Sequence, residues 1–175
     1  MSLAFFVSNG VEDLLPYPAP EIVWATREWD RMGGGVYEGV ALTQSQQNVE
    51  ITRSHTDAFN RRDLDGILQL YDPDGEVDLS RSPGLQAGIF RGRVAVRAFW
   101  STFFEAWERM IVSVDEYIDC GESVVVPTRT RFWGREGIEV EAYGVFVVIL
   151  RDGRIVVWRL FRELDEALKA VGLEP

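Results

Sequence analysis

The stretch from residue 58 to residue 80 constrains the fold more than any other part of the chain, because it contains a helix end, a short helix and the start of a strand. The first helix ends at Asn60, whose side chain tolerates the left-handed backbone conformation that stops helices. Asp63 can accept hydrogen bonds from the free amides of a second helix, and residues 72–75 (Asp-Pro-Asp-Gly) form a turn. A strand over residues 76–80 is therefore predicted to follow two consecutive helices.

The remaining elements are predicted from capping residues, apolar spacing and glycine-containing turns. Thr43 opens the first helix, and Gln46 three residues later completes a capping box. A third helix over residues 94–109 carries a wide apolar stripe, and a closing helix over residues 164–171 begins with a cap at Asp165 and ends at Gly172. Four strands are predicted as an antiparallel meander, over residues 110–118, 123–133, 138–151 and 154–161.

Charge pairing assigns the two faces of this meander. If residues 134–138 form the connecting loop, Arg131 lies opposite Glu141 and Arg129 lies opposite Tyr143, so that face points outward. The other face is apolar and has small residues in its middle, where a cavity could sit. The segment 145–150 is apolar on both faces, which predicts a second covering layer. We expect a homodimer that buries the outer sheet face, with these residues at the contact: Val145, Val147 and Ile149.

The inward face of the last strand depends on the length of one loop. A two-residue turn at Asp152-Gly153 points Arg159 and Phe161 inward, whereas a three-residue loop with a glycine bulge points Trp158 and Leu160 inward. The residues alone leave both orientations open.

Composition predicts one domain and excludes several classes of partner. The chain has 175 residues and a net charge of -10, which argues against nucleic acid and anionic membranes as partners. A single cysteine, Cys120, and the lack of a long apolar run predict a cytoplasmic protein. Residues 1–43 are predicted to be a partly irregular N-terminal arm that lies on its own domain or on a partner subunit through its aromatic residues, and residues 44–173 are predicted to form the domain.

Three segments together resemble one known family. They are the stretch described first, residues 92–100 (Gly-Arg-Val-Ala-Val-Arg-Ala-Phe-Trp) and the hairpin over residues 150–155 (Leu-Arg-Asp-Gly-Arg-Ile). With the order of elements, over about residues 44–173, they resemble the SnoaL-like, polyketide cyclase-like branch of the nuclear-transport-factor-2-like (NTF2-like) superfamily, which also contains the ketosteroid isomerases. The resemblance implies a cone-shaped α+β fold, in which a curved mixed or antiparallel sheet packs on three helices around an apolar cavity, usually in dimers.

The resemblance also implies two candidate catalytic residues, His55 and Asp78. The isomerases have, at the place of His55, a tyrosine that donates a hydrogen bond to the steroid oxygen, so the imidazole is expected to donate a hydrogen bond or exchange protons. The alternative is a partly buried histidine bonded to its neighbours. Asp78 lies one residue from the place of the isomerases' base, which is Leu79, and strand alternation puts Asp78 on the opposite face unless a bulge rotates it. The place of their second carboxyl is about Phe146, so classical steroid isomerisation is disfavoured.

No cofactor or metal is predicted. One histidine and one cysteine are too few for a zinc site, the run of aspartates near residue 63 lacks calcium-loop spacing, and no dinucleotide or nucleophile motif occurs. The resemblance implies a protein that binds a small hydrophobic molecule, as a cofactor-free isomerase, cyclase or hydrolase with His55 as its acid-base group; the alternative is a non-catalytic binding or dimerisation module. The register of the family also favours the longer hairpin loop, so Trp158 is predicted to face the interior. The ligand-binding residues are predicted to be Phe59, Tyr71, Phe99, Trp100, Phe103, Thr130, Phe132, Phe146 and Trp158.

Overall fold

The computed structural model describes residues 42–82 and 87–173. The predicted arm of residues 1–43, apart from its last two residues, lies outside the described residues. Within them the helices are α1 (Gln44–Asn60), α2 (Leu64–Leu70), α3 (Gly92–Glu105) and α4 (Leu164–Ala170). The strands are β1 (Tyr71–Asp78), β2 (Ile89–Arg91), β3 (Arg109–Val114), β4 (Ile118–Asp119), β5 (Ser123–Trp133), β6 (Glu139–Arg151) and β7 (Arg154–Phe161).

The strands form one mixed sheet in the order β2-β1-β7-β6-β5-β3, with β4 also paired to β5. The meander from β3 through β5 and β6 to β7 is antiparallel, as predicted, whereas β1 runs parallel to β7. The predicted register is confirmed, since Arg131 pairs with Glu141 and Arg129 with Tyr143 across β5 and β6. The predicted α+β class with a mixed sheet is therefore confirmed.

The first helix ends differently from the prediction. Thr43 and Gln46 form the predicted capping box, and α1 does end at Asn60, but the residue with left-handed backbone is Arg62, at φ 57°. The Asn60 side chain instead donates to the Val112 carbonyl and accepts from the Val112 amide, at 3.0 and 2.8 Å. Asn60 therefore ties the helix end to strand β3.

Two layers cover the sheet, one on each face. The α1, α2 and α3 helices pack on the inner face around the main core, which includes Phe59, Val96 and Val148. On the outer face, α4 covers a second cluster through Ala167. The α4 helix begins after Glu163, without a side-chain cap, so the predicted cap at Asp165 is wrong, while Gly172 does end it with positive φ.

The covering layer predicted for the outer sheet face is present, but its predicted identity is wrong. Val145 and Val147 are buried, and they lie in the cluster that α4 of the same chain covers, with Ile149 packed against it. Because α4 belongs to the same chain, this patch is buried without a second subunit. Val145 and Val147 are therefore covered within the chain and offer no surface to a partner, whereas Ile149 is only partly buried. Dimerisation itself stays a prediction, to be checked by light scattering.

In the hairpin between β6 and β7, the predicted loop length is wrong but the predicted orientation of Trp158 is confirmed. The loop has two residues, Asp152 and Gly153, both with positive φ, and not the three expected. However, the pairing slips by one residue at Val156, where β7 has an extra residue opposite β6. This bulge turns Trp158 inward, so the predicted orientation of Trp158 is confirmed.

Candidate functional site

The only histidine lies inside a cluster of aromatic side chains on the inner face of the sheet. His55, from the middle of α1, is 1% exposed. Its imidazole stacks on the Trp158 indole with the ring centroids 3.8 Å apart and the planes 24° apart. Trp100 meets it edge-on at 5.8 Å, and the Tyr71 hydroxyl lies 3.3 Å from His55 Nε2. We call His55, Tyr71, Trp100 and Trp158 the aromatic cluster.

Four separate elements bring these rings together. Trp100 belongs to the apolar stripe of α3, which packs this face of the helix against the core. Tyr71 directly follows α2 as the first residue of β1, and it is fully buried. Trp158 reaches the cluster because of the bulge at Val156. The cluster thus depends on α1, α3 and two parallel strands being placed correctly.

Burial keeps both ionisable groups of the cluster uncharged. Desolvation lowers the pKa of His55 from 6.5 to about 3, and it raises the pKa of Tyr71 well above its usual value. At neutral pH the imidazole is therefore neutral and carries one proton, and the phenol keeps its own. The hydrogen bond between them is best satisfied when the Tyr71 hydroxyl donates to Nε2, which places the imidazole proton on Nδ1.

The cluster contains donors that the described residues leave without a partner. His55 Nδ1 and Trp158 Nε1 are buried, and neither makes a hydrogen bond within the described part of the chain. The same holds for Trp100 Nε1, which lies close enough to the Tyr71 hydroxyl to lower its pKa slightly but makes no well-formed hydrogen bond. Unpaired buried N–H groups are rare in folded proteins, because each loses its bonds to water. The arrangement can therefore donate hydrogen bonds to an acceptor.

The remaining predicted ligand-binding residues differ in their relation to the cluster. Phe59 and Phe99 contact Trp100, with ring centroids 5.5 and 4.7 Å apart. Phe132 is buried in the same core, and Thr130 is also buried. Phe103 and Phe146 are only partly buried. Phe146 contacts Trp158 with the ring centroids 5.2 Å apart, so it links the buried cluster to the more exposed part of the inner face.

Asp78, the second predicted catalytic residue, is not part of the cluster. It pairs with Arg159 across β1 and β7, whereas the neighbouring pair Val77 and Trp158 points to the inner face. Its carboxylate accepts from Arg159 Nε at 2.7 Å and from the Ser80 hydroxyl at 2.7 Å. Burial acts to raise the pKa of Asp78, but the hydrogen bonds from Ser80 and Arg159 outweigh it and lower the pKa. Asp78 is thus a buried, ionised partner of Arg159.

Sequence reasoning identified every ring of the cluster but not the partner of Asp78. Arg159 was expected to face inward only if the hairpin loop had two residues. The missing information was the parallel pairing of β1 with β7, which sets Arg159 beside Asp78. Asp78 and Arg159 are 81 residues apart in the chain, so no local pattern predicts this pairing.

The open cleft at the beginning of α1 is separate from the cluster. Its volume is about 230 Å³, and its lining residues are Leu42, Gln46, Val49, Glu50 and Asp119. Among residues 42–82 and 87–173, no group of three His, Cys, Asp or Glu side chains is placed to hold a metal ion. No helix in these ranges is long and apolar enough to cross a membrane.

Comparison with known proteins agrees with the fold. The model of the SnoaL-like domain family matches residues 52–158, more than half of the chain. A search of curated proteins finds no match. An NTF2-like protein of unknown function from Burkholderia pseudomallei K96243 is 28% identical, with a TM-score of 0.60 over 71% of this chain and 97% of its own.

Two further solved structures are similar in fold. A putative SnoaL-like polyketide cyclase from Jannaschia sp. CCS1 is 21% identical, with a TM-score of 0.60 over 78% of this chain and 99% of its own. A Mycobacterium tuberculosis protein in complex with estradiol-17beta-hemisuccinate is also 21% identical, with a TM-score of 0.60 over 68% of this chain and 95% of its own. The predicted cone-shaped NTF2-like fold is therefore confirmed.

Proposed function

The chain belongs to the SnoaL-like domain family, and on this premise we propose that it binds a small hydrophobic molecule whose oxygen atom accepts hydrogen bonds from the aromatic cluster. The observation that carries the proposal is the pair of buried donors on His55 and Trp158 that the described residues leave unpaired. The similar protein from M. tuberculosis, which is in complex with estradiol-17beta-hemisuccinate, supports a hydrophobic ligand with oxygen atoms.

An acceptor oxygen suits this site for an energetic reason. A buried donor without a partner costs about 1–3 kcal/mol, because it has given up its hydrogen bond to water. A ligand oxygen that reaches His55 Nδ1 or Trp158 Nε1 recovers part of this cost on binding. The surrounding side chains are apolar, so the rest of the ligand gains from its own burial.

The same burial favours binding over catalysis by His55. With a pKa of about 3, almost none of the imidazole is protonated at neutral pH, so it cannot act as a general acid, and it is also a weak base. Asp78 is bonded to Arg159 on the other face and does not assist it. We therefore propose the non-catalytic form of the function, in which His55 acts as a neutral hydrogen-bond donor; isomerisation, cyclisation or hydrolysis would need a different proton carrier.

The ligand would approach along the inner face of the sheet. Phe103, Phe146 and Leu160 are among the apolar side chains that are only partly buried while packing against the core. Phe146 contacts Trp158, which in turn contacts His55, so this route ends at the unpaired donors.

A pair of matched ligands tests the proposal. The protein is titrated with an apolar ketone and with the hydrocarbon of the same skeleton, while the indole N–H and imidazole signals are followed by NMR. The ketone should bind about three- to tenfold more tightly, the value of one net hydrogen bond, and it should shift the signals of His55 and Trp158. His55→Phe keeps a ring but removes the donor, so it should erase much of the preference.

Trp107→Phe is the matched control for this titration. Trp107 is also buried, but it contacts Phe132 and does not belong to the aromatic cluster. The variant Trp107→Phe should leave the preference for the ketone over the hydrocarbon unchanged. Binding that is equal for ketone and hydrocarbon, or no binding across a panel of such pairs, would contradict the proposed function.

A further inference from the structure

We propose that Trp158 is a displaceable ring, and that a flat, uncharged part of the ligand takes the place of its indole on His55. This inference rests on the proposed function, and it adds the shape and charge of the ligand. The stacked contact between Trp158 and His55 carries it, because the ring centroids are only 3.8 Å apart. No third ring fits between two rings at this distance, so a ligand that stacks on His55 must displace Trp158.

The position of Trp158 makes it the ring that can leave. Trp158 is buried at 5% exposure, against 1% for His55 and 0% for Tyr71, and it contacts Phe146, which is partly buried. The backbone of Trp158 is paired on both sides, with Val77 and with Val148. The strand therefore stays fixed, and the movement is a rotation of one side chain toward the more exposed part of the inner face.

The unpaired indole N–H lowers the cost of this rotation. In its stacked position, Trp158 Nε1 has no hydrogen-bond partner among the described residues. Rotation toward the inner face gives the N–H access to water or to the ligand oxygen, which offsets part of the lost ring contact. A fully hydrogen-bonded tryptophan would lose a bond on leaving, whereas this one can gain a bond.

The shape and charge of the ligand follow from what it replaces. The surface that Trp158 leaves is the flat face of His55, which favours a planar aromatic system. The cluster has no ionised group, because His55 is neutral and Tyr71 is protonated. The ion pair of Asp78 and Arg159 lies on the other face of the sheet. A carboxylate or an ammonium on the ligand would be buried there without a counter-ion, so a neutral oxygen is expected.

The test uses three probes and two variants of the whole chain. Fluorenone is planar and carries one neutral oxygen, dicyclohexyl ketone carries the same group without a flat ring, and fluorenone-4-carboxylic acid adds a charge. Fluorenone should bind about tenfold more tightly than either of the others. Dicyclohexyl ketone lacks the ring contacts with His55, and the acid would bury a charge without a counter-ion. On binding, the cross-relaxation between the Trp158 and His55 ring protons should disappear.

The variant Trp158→Phe distinguishes a Trp158 ring that the ligand displaces from one that stays in place and lines the site. The smaller phenyl ring leaves its stacked position more easily, and the loss of the indole donor affects both ketones alike. The preference for fluorenone over dicyclohexyl ketone should therefore rise at least about threefold in this variant, since apparent affinity rises with the fraction of open protein. A ring that stays in place predicts a smaller preference, because contact area with the flat ligand is lost. Trp107→Phe, which alters a tryptophan outside the cluster, should bind like the unaltered chain.

The outcomes distinguish this inference from the proposed function. If fluorenone and dicyclohexyl ketone bind equally to the unaltered chain, if the acid binds as tightly as fluorenone, or if the preference for fluorenone over dicyclohexyl ketone does not rise in Trp158→Phe, the displaceable ring is refuted while ligand binding stands. If none of the probes binds to the unaltered chain or to Trp158→Phe, both the proposed function and this inference are refuted.

Discussion

The pH dependence of stability tests the burial of His55 directly. In the folded protein its pKa is lowered to about 3, whereas the unfolded chain has the ordinary value of 6.5. Below pH 6.5 the unfolded chain therefore takes up a proton that the folded chain refuses. Proton uptake by the unfolded state favours unfolding, so the free energy of unfolding must fall as the pH is lowered from 6.5 toward 3.

The loss in the free energy of unfolding between pH 7 and pH 5 depends almost entirely on the pKa of His55 in the unfolded chain. A group with pKa 6.5 that stays neutral in the folded state costs about 2 kcal/mol of stability at pH 5 and about 0.2 kcal/mol at pH 7. The expected loss is therefore about 2 kcal/mol over this interval. The result is the same for any pKa of about 4 or lower in the folded protein.

Urea unfolding of the unaltered chain and of His55→Phe measures this loss. Because the sequence has a single histidine, the variant has no other imidazole to titrate. Each protein is compared with itself at pH 7 and pH 5, so any change in absolute stability caused by the substitution cancels, as do the carboxylates common to both. The unaltered chain should lose about 2 kcal/mol more than the variant. Equal losses in the two proteins would refute a buried, neutral His55, and with it the argument against proton transfer.

Three further substitutions test other contacts of the fold. Asn60→Ala removes both hydrogen bonds to Val112 and should cost about 1–3 kcal/mol in urea unfolding; a cost below about 0.5 kcal/mol would contradict the link between α1 and β3. Asp78→Asn should cost about 1.5–3 kcal/mol at pH 7, because Arg159 loses a charged partner, and the difference should shrink as acid protonates the unaltered Asp78 below its lowered pKa. Gly153→Ala should lower stability by about 1 kcal/mol, since φ is 71° there; an unchanged melting temperature would contradict the strained turn.

Local signals in the sequence were sufficient for the elements that they control. The capping box of Thr43 and Gln46 marks the start of α1, and the charge pairing of Arg131 with Glu141 fixes the register of β5 and β6. Both features involve residues near one another in sequence, or across a single hairpin. Patterns of this kind are physical constraints on the local backbone, so the structure reproduces them.

Features that depend on distant contacts could not be predicted in the same way. The apolar segment at Val145 and Val147 required a covering layer, but its composition does not say whether a helix of the same chain or a second subunit supplies it. The hairpin loop shows a related limit, because Trp158 faces inward through a bulge at Val156 and not through the loop that was expected. Two different backbone routes gave the same side-chain direction, and strand alternation alone does not separate them.

The candidate site shows the same limit in chemical terms. The sequence and its family resemblance place His55 in the interior, and an exposed or half-buried imidazole there would be suited to proton transfer. What changes the chemistry is the depth of burial, since contact with Trp158, Trp100 and Tyr71 holds the imidazole neutral. A neutral imidazole whose Nε2 is occupied by Tyr71 keeps one function at Nδ1, the donation of a hydrogen bond. In this chain, therefore, the packing of the rings around His55 favours recognition of a ligand oxygen over the movement of its protons.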